Sequence, residues 1–357
     1  MTMSRYTFGI LVLTVIGGGY SMFAASPYVQ AVVGSILIYT IAVSGLNLLG
    51  GYGGYPNLTQ ATFMGVAAYA AAWTTKELHW SFWIQLLLTP LVAALVGFAI
   101  ALPLLRLRGQ YFAIATLLVG VVLTTILTNS DVVGGSVGIG GFSRPVSNPV
   151  MWLGLLVLLT AVVTLVCARI ATWPLGRHLV ALRADESLSE SIGIPVYRRK
   201  MQAFVIGAYI GGVAGVLLGY NAYYISPALF GFYESFLLFV ALIIGGSGTV
   251  SGPLIGSVFL LGLPEVFRFA AEGRYLTMGL VFIVVMAIAS DGLAGILGRL
   301  AGRLRRTARR PAVPPSSTAT SNGSDPSSPT GRAPTSEDAP GLVEVEVAVP
   351  RSAPASR

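Results

Sequence analysis

The sequence predicts an all-α polytopic membrane protein with about ten membrane segments (8–10), some of them glycine-interrupted or re-entrant. Two observations predict this class. Hydrophobic residues make up 54% of the 357 residues and charged residues only 10%, where a soluble domain carries about 25% charged residues. Several apolar runs also reach the roughly 20 residues that a helix needs to cross a hydrocarbon core of about 30 Å. The runs are continuously apolar, whereas the strands of a membrane barrel alternate over about 10 residues.

In chain order the segments fall near 6–24, 29–49, 58–75, 82–105, 111–128, 151–171, 201–220, 233–246, 251–265 and 275–297. The first ends at Ala24-Ala25-Ser26, which resembles a signal-peptide cleavage site. Gly17-Gly18-Gly19 interrupts it and many spans follow, so it reads as a retained helix. The eighth and ninth are short and glycine-broken, which admits a re-entrant arrangement.

Basic residues order the topology, because Lys and Arg favour cytoplasmic loops. Arg5 precedes the first segment, and Arg106 and Arg108 follow the fourth. Arg169, Arg177, Arg183, Arg198, Arg199 and Lys200 surround the loop after the sixth, and six arginines from Arg299 to Arg310 follow the tenth. Even numbers of crossings separate these groups. All therefore fall on the cytoplasmic side, with both termini, and loops 129–150 and 221–232 face outward. The chain divides into a transmembrane domain (1–298), a basic juxtamembrane segment (299–310) and a Pro-, Ser- and Thr-rich tail (311–357). The tail is too polar to offset its ordering entropy and reads as disordered and cytoplasmic.

The net charge of +8 does not indicate nucleic acid, because the charge is gathered at membrane edges and suits anionic lipid. A single cysteine, Cys167, excludes an internal disulfide and a multi-cysteine metal site. His79 and His178 are too few for a metal site, and no nucleophile–base arrangement stands out, so neither a catalytic centre nor a metal is expected. Glu234 and Asp291 lie near segment ends, where water can solvate them, which argues against a proton relay.

Four motifs remain. Gly207, Gly211, Gly215 and Gly219 share one face of the seventh segment. Such a face lets another helix approach closely, either as a static contact or as a sliding one. The stretch from Gly50 through Gly53 to Asn57, Thr59 and Gln60 is uncharged and backbone-permissive. Irregular backbone at membrane depth is tolerated only inside protein or beside water, so it is either a translocation-path element or an ordinary cytoplasmic turn. Gly245-Gly246-Ser247-Gly248-Thr249-Val250-Ser251-Gly252-Pro253 breaks or turns a helix, and it lacks the Gly-Lys-Ser/Thr of a phosphate loop.

The fourth motif is a polar island, Gly176 to Pro195, in an otherwise nearly charge-free region. Ser187 and Glu190 have capping-box spacing, and Gly193 followed by Pro195 supplies a stop. Leu188 and Ile192 fall four apart on one face. A short helix is expected with an apolar stripe and exposed acids, either docked on a soluble partner or packed on itself.

These residues resemble the coupling loop of ABC-importer permeases, and more narrowly the M-type permease subunit of branched-chain amino-acid transporters. The resemblance rests on Asn47-Leu48-Leu49-Gly50-Gly51-Tyr52-Gly53-Gly54 leading to Ala67-Ala68-Tyr69, and on Leu105-Arg106-Leu107-Arg108-Gly109-Gln110-Tyr111-Phe112. It continues through Ala181-Leu182-Arg183-Ala184-Asp185-Glu186 to Ser191-Ile192-Gly193-Ile194, and ends in the 245–253 glycine turn. It covers roughly residues 30 to 295.

What the resemblance implies is a permease subunit that translocates leucine, isoleucine, valine or a related small polar solute by alternating access in a prokaryotic inner membrane. It implies a second permease of the H type, two cytoplasmic ATPases and an external solute-binding protein. ATP and Mg would be used by those ATPases, with no cofactor on this chain. Asp185, Glu186, Ser187, Glu190 and Gly193 become the expected coupling residues. Gly53, Asn57, Thr59, Gln60, Gly207, Gly211, Gly215 and Gly219 become the expected path or packing residues. The competing readings are an ion-coupled secondary transporter and a non-transporting membrane scaffold.

Overall fold

The computed structural model describes residues 26–107, 109–130 and 134–266, together with Gly279. The first and tenth expected segments, Arg5, Arg108, Asp291, the basic segment 299–310 and the tail lie outside the described residues.

The described chain forms helices α1 (Pro27–Leu46), α2 (Gln60–Leu78), α3 (Phe82–Leu104), α4 (Gln110–Thr128) and α5 (Pro149–Thr172). It continues with α6 (Pro174–Ala184), α7 (Glu186–Ser191), α8 (Val196–Ala222), α9 (Phe232–Gly245) and α10 (Gly252–Val266). Local chemistry sets several starts. Pro27, Pro149 and Pro174 occupy first-turn positions, where a missing N–H costs nothing. Asn148 caps α5 by accepting from the Val150 amide at 2.9 Å.

Among the described residues, six stretches are long and apolar enough to cross a membrane: Tyr28–Tyr52, Phe82–Leu104, Gln110–Thr128, Pro149–Thr172, Val196–Ala222 and Pro227–Gly245. The helix α2 is long enough, with 19 residues, but carries Gln, Thr, Gly and Ala over most of its length. It lies among α3, α8 and α9, so most of its surface is buried in protein. The described part of α10, with 15 residues, is shorter.

Most expected segments match their helices closely, with two differences. The third begins at Gln60 and runs on to Leu78, and the seventh begins at Val196. Arg198, Arg199 and Lys200 are therefore helical and not part of a loop, because the helix continues past the apolar span down to Pro195.

The centre of the bundle is α8, packed on α1, α2 and α3. Small residues let the backbones approach. A Cβ at Gly212 would lie 2.9 Å from the Pro90 Cα, and one at Gly97 would lie 2.8 Å from the Ala208 Cβ. The hairpin of α9 and α10 packs on α1, α5 covers the other side of α1, and α4 lies peripherally.

The two ends of the bundle gather different segments. At one, Ile139–Gly140 (β1) pairs antiparallel with Tyr224–Ile225 (β2), Ile139 opposite Ile225. There the Arg144 guanidinium lies 4.6 Å over the Tyr223 ring and donates to the Asn221 carbonyl at 3.0 Å. At the other end the 47–59 stretch, the α6–α7 loop and the 246–251 turn meet. Alternating passage between the two ends puts Arg106, Arg177, Arg183 and Arg198 at that second end.

Candidate functional site

The polar island folds as two helices. Asp185, in extended conformation, starts α7: its carboxylate accepts from the Leu188 amide at 3.0 Å. This corrects the expected cap. Ser187 lies inside the first turn, and its carbonyl accepts from the Ser191 hydroxyl at 3.0 Å. Asp185 prevails because α6 ends immediately before it and leaves its backbone free to take the extended cap geometry.

The stop occurs where the sequence places it. Gly193 has φ of 83°, its amide donates to Glu190 at 3.0 Å, and the Ile194 amide donates to Ser189 at 3.1 Å. This is the double bond of a left-handed glycine cap. Leu188 is 62% exposed and Ile192 68% exposed, and Glu190 lies between them in sequence, also exposed.

Glu186 departs from expectation. It does not face outward as a free acid but bonds the Lys200 ammonium at 2.7 Å and accepts from the Tyr55 hydroxyl. The Lys200 side chain is only 2% exposed and its nitrogen lies 4.1 Å over the Tyr55 ring. Glu186 therefore ties the coupling loop to the 50–60 stretch and to the start of α8. Burial, with the guanidinium groups of Arg199 and Arg177, pushes His178 of α6 below the ordinary 6.5, so it is neutral at neutral pH.

Arg183 makes the second tie. Its guanidinium donates to the Gly51 carbonyl at 2.7 Å and to the Ser247 hydroxyl at 3.4 Å. Those atoms belong to the two glycine turns, which touch each other. Asn47 joins them directly: its Nδ2 donates to the Thr249 carbonyl at 2.9 Å and its Oδ1 accepts from the Gly248 amide at 2.9 Å. A Cβ at Gly51 would sit 2.6 Å from the Gly248 nitrogen, so glycine is required at this crossing. Arg183→Lys keeps the charge but loses the fork that spans both turns. It is expected to lower uptake about fivefold, the size of one hydrogen bond of about 1 kcal/mol, with normal accumulation. Uptake at the parental rate would contradict the tie.

The 50–60 stretch is not an ordinary turn. From the end of α1 the chain widens into a π-helical turn, Asn47–Tyr52, and then runs as irregular backbone to Gln60. Gln60 donates to the Ala42 carbonyl at 3.0 Å and to the Gly207 carbonyl at 3.2 Å. At about 1.5 Å per residue, Gly207 lies roughly 16 Å up α8 from Val196, so α2 begins deep in the bundle. Asn57 and Thr59 are buried there, the Asn57 Oδ1 accepting from the Thr59 amide at 3.0 Å. Ser235 of α9 accepts from the Ala61 amide at 3.2 Å and so satisfies one open N–H of the helix start. The Gln60 Oε1 and the Thr62 hydroxyl are buried with no hydrogen-bond partner among the described residues. Gly53 is buried, where a Cβ would lie 2.6 Å from the Leu49 carbonyl.

The glycine face of α8 is a packing surface along its whole length. Gly207 lies against Gly45 of α1, Gly211 against the Gln60 amide, Gly215 against the Met64 carbonyl and Gly219 against the Phe142 ring. Sequence reasoning met Asn47 and Arg183 only within the stretches that carry the resemblance or as loop charge, did not single out Tyr55 or Ser235, and treated Lys200 only as loop charge. The available signals were a lone Asn ending an apolar helix and a Lys among the first residues of another.

The family model described as "Branched-chain amino acid transport system / permease component" matches residues 28–289. The chain is 32% identical over 287 residues to the high-affinity branched-chain amino acid transport system permease protein LivM of Salmonella typhimurium, covering 72% of this chain and 68% of that one. It is 31% identical to LivM of Escherichia coli, with the same coverage. It is 32% identical to the E. coli permease protein LivH over 124 residues, covering 34% of this chain and 40% of that one. No solved structure matches it. The chain belongs to the family of branched-chain amino acid transport permeases, a multi-pass membrane family with a transport role and not an enzymatic one.

Proposed function

We propose that this chain is the M-type permease subunit of an ATP-driven importer for leucine, isoleucine and valine. The observation that carries the proposal is the two-faced α7 loop. One side is tied into the membrane bundle through Glu186 and Arg183, and the other presents Leu188, Glu190 and Ile192 to solvent. A short capped helix built this way transmits a push from a soluble partner and needs no active site of its own.

In this reading α7 docks on a cytoplasmic ATPase, one of two, and ATP and Mg act there. An H-type permease completes the membrane body and an external binding protein delivers the amino acid. The α7 end of the bundle faces the cytoplasm of a prokaryotic cell, with both termini on that side. ATP-driven closure of the ATPases displaces α7. Arg183 passes the displacement to both glycine turns, and Glu186 passes it through Tyr55 to the buried start of α2. The solute path runs beside that start, where Asn57, Thr59, Gln60 and Thr62 offer polar groups to a zwitterion that has shed its water. The glycine face of α8 holds the frame against which this segment moves. Family membership argues against the secondary-transporter and scaffold readings.

Glu190→Lys reverses the charge on the presented face and touches neither tie. Uptake of radiolabelled leucine by whole cells is expected to fall to background while the chain still inserts in the membrane at the parental level. Full uptake by a well-inserted Glu190→Lys chain would remove α7 as the docking element.

A further inference from the structure

Beside the coupling loop, on the bundle's outer surface, lies a second feature that the transport reading does not use. A groove of about 730 Å³ opens between the end of α5, the start of α6 and the start of α8. Its apolar walls include Val166, Ile170 and Ile206, and Arg169, Arg199 and Trp173 also line it. The apolar walls lie on the two membrane-length stretches, and the arginines lie near the ends of those stretches at the α7 end of the bundle.

The charge in this groove is unbalanced. Neither guanidinium makes an ion pair among the described residues. Arg199 Nη1 donates to Gln202 Oε1 at 3.0 Å, but its Nε is buried with no partner. A buried, charged N–H left open is costly, so the groove is built for an acceptor. Trp173, 57% exposed, sits at the mouth, the usual headgroup depth for its amphipathic ring.

An apolar slot beneath two guanidinium groups at a membrane edge matches a molecule with acyl chains and a phosphate. We propose that the groove binds one anionic phospholipid, its phosphodiester held by Arg199 and Arg169 and its chains lying on Val166, Ile170 and Ile206. Neutral lipid fits the walls but brings no net negative charge to the arginines. The lipid lies against the first turn of α6 and one residue from the buried Lys200. It would therefore brace the segment from which the coupling loop springs.

The test reads lipid on the purified chain, so it stands whether or not the chain imports amino acids. The complex is exchanged into vesicles of phosphatidylcholine with a small fraction of phosphatidylglycerol, extracted gently, and its retained lipid measured by mass spectrometry. The parental protein is expected to enrich phosphatidylglycerol over the vesicle composition. Arg169→Gln with Arg199→Gln is expected to lower that enrichment about 25-fold, since each basic residue near an anionic surface contributes about fivefold. Arg169 is exposed and Arg199 half-buried, and neither belongs to the coupling ties, so assembly is retained. A photoreactive phosphatidylglycerol should label the groove walls in the parental protein only.

Equal enrichment in the variant would overturn the proposal. So would crosslinking of a second protein subunit, and not lipid, to Val166. Inorganic phosphate at millimolar concentration is the remaining arm. If it displaces the retained lipid completely, the site is a phosphate site and the lipid assignment fails. Displacement only by phosphatidylglycerol supports it.

Discussion

Glu186→Ala is expected to lower stability by about 3–5 kcal/mol, the cost of leaving one member of a buried ion pair without its partner. The reason lies in the asymmetry of the pair. The Lys200 side chain is 2% exposed and Glu186 is 19% exposed, so removing the acid takes the carboxylate from a cation closed off from water. The Tyr55 hydroxyl loses its acceptor in the same step. Membrane-inserted protein should fall steeply and its thermal midpoint in detergent should drop. Adding Lys200→Met to Glu186→Ala removes the stranded charge and should restore much of the accumulation. Uptake should stay low, because the link between α7 and the 50–60 stretch is gone. A single Glu186→Ala variant with parental stability would show that water reaches Lys200.

The second large effect is at Gly215. A Cβ there would overlap the Met64 backbone carbonyl oxygen of α2, and backbone on both sides leaves nothing to move aside. Gly215→Ala should separate α8 from α2 and cost about 3 kcal/mol, the upper end of core overpacking. Gly211→Ala meets the Gln60 amide nitrogen at 2.7 Å instead, the far end of a side chain and not backbone. It should cost markedly less, despite identical chemistry one turn away. Comparing folded yield by fluorescence-detected gel filtration checks the order; equal losses would contradict the contact assignments.

Much of this structure was legible in the sequence because a membrane leaves few options. Continuous apolar runs gave most described helices to within a few residues, and spacing gave the shared glycine face. The stop at Gly193 followed from the need for a left-handed residue after α7, which φ of 83° bears out. Long-range ties were not legible. Asp185 took the cap from Ser187 because of where α6 ends, which is a matter of backbone path and not of local spacing. Lys200 looks like loop charge until α8 is seen to start at Val196 and turn it inward. Asn47 joins turns separated by 202 residues, and no local pattern announces such a pairing. The sequence left the 50–60 stretch open between a translocation-path element and an ordinary cytoplasmic turn, and the buried start of α2 was not foreseen. Its depth shows only when Gln60 reaches Gly207.

The central claim is that α7 couples this permease to an ATPase. The most direct measurement is affinity purification of the tagged chain in gentle detergent, beside Glu190→Lys, with the co-purifying subunits quantified by mass spectrometry. The account predicts two partners with the parental chain, an ATPase and a second permease. With Glu190→Lys the ATPase should be lost and the second permease kept. A parental chain that purifies alone even after crosslinking, or a Glu190→Lys chain that keeps its ATPase in full, would contradict it.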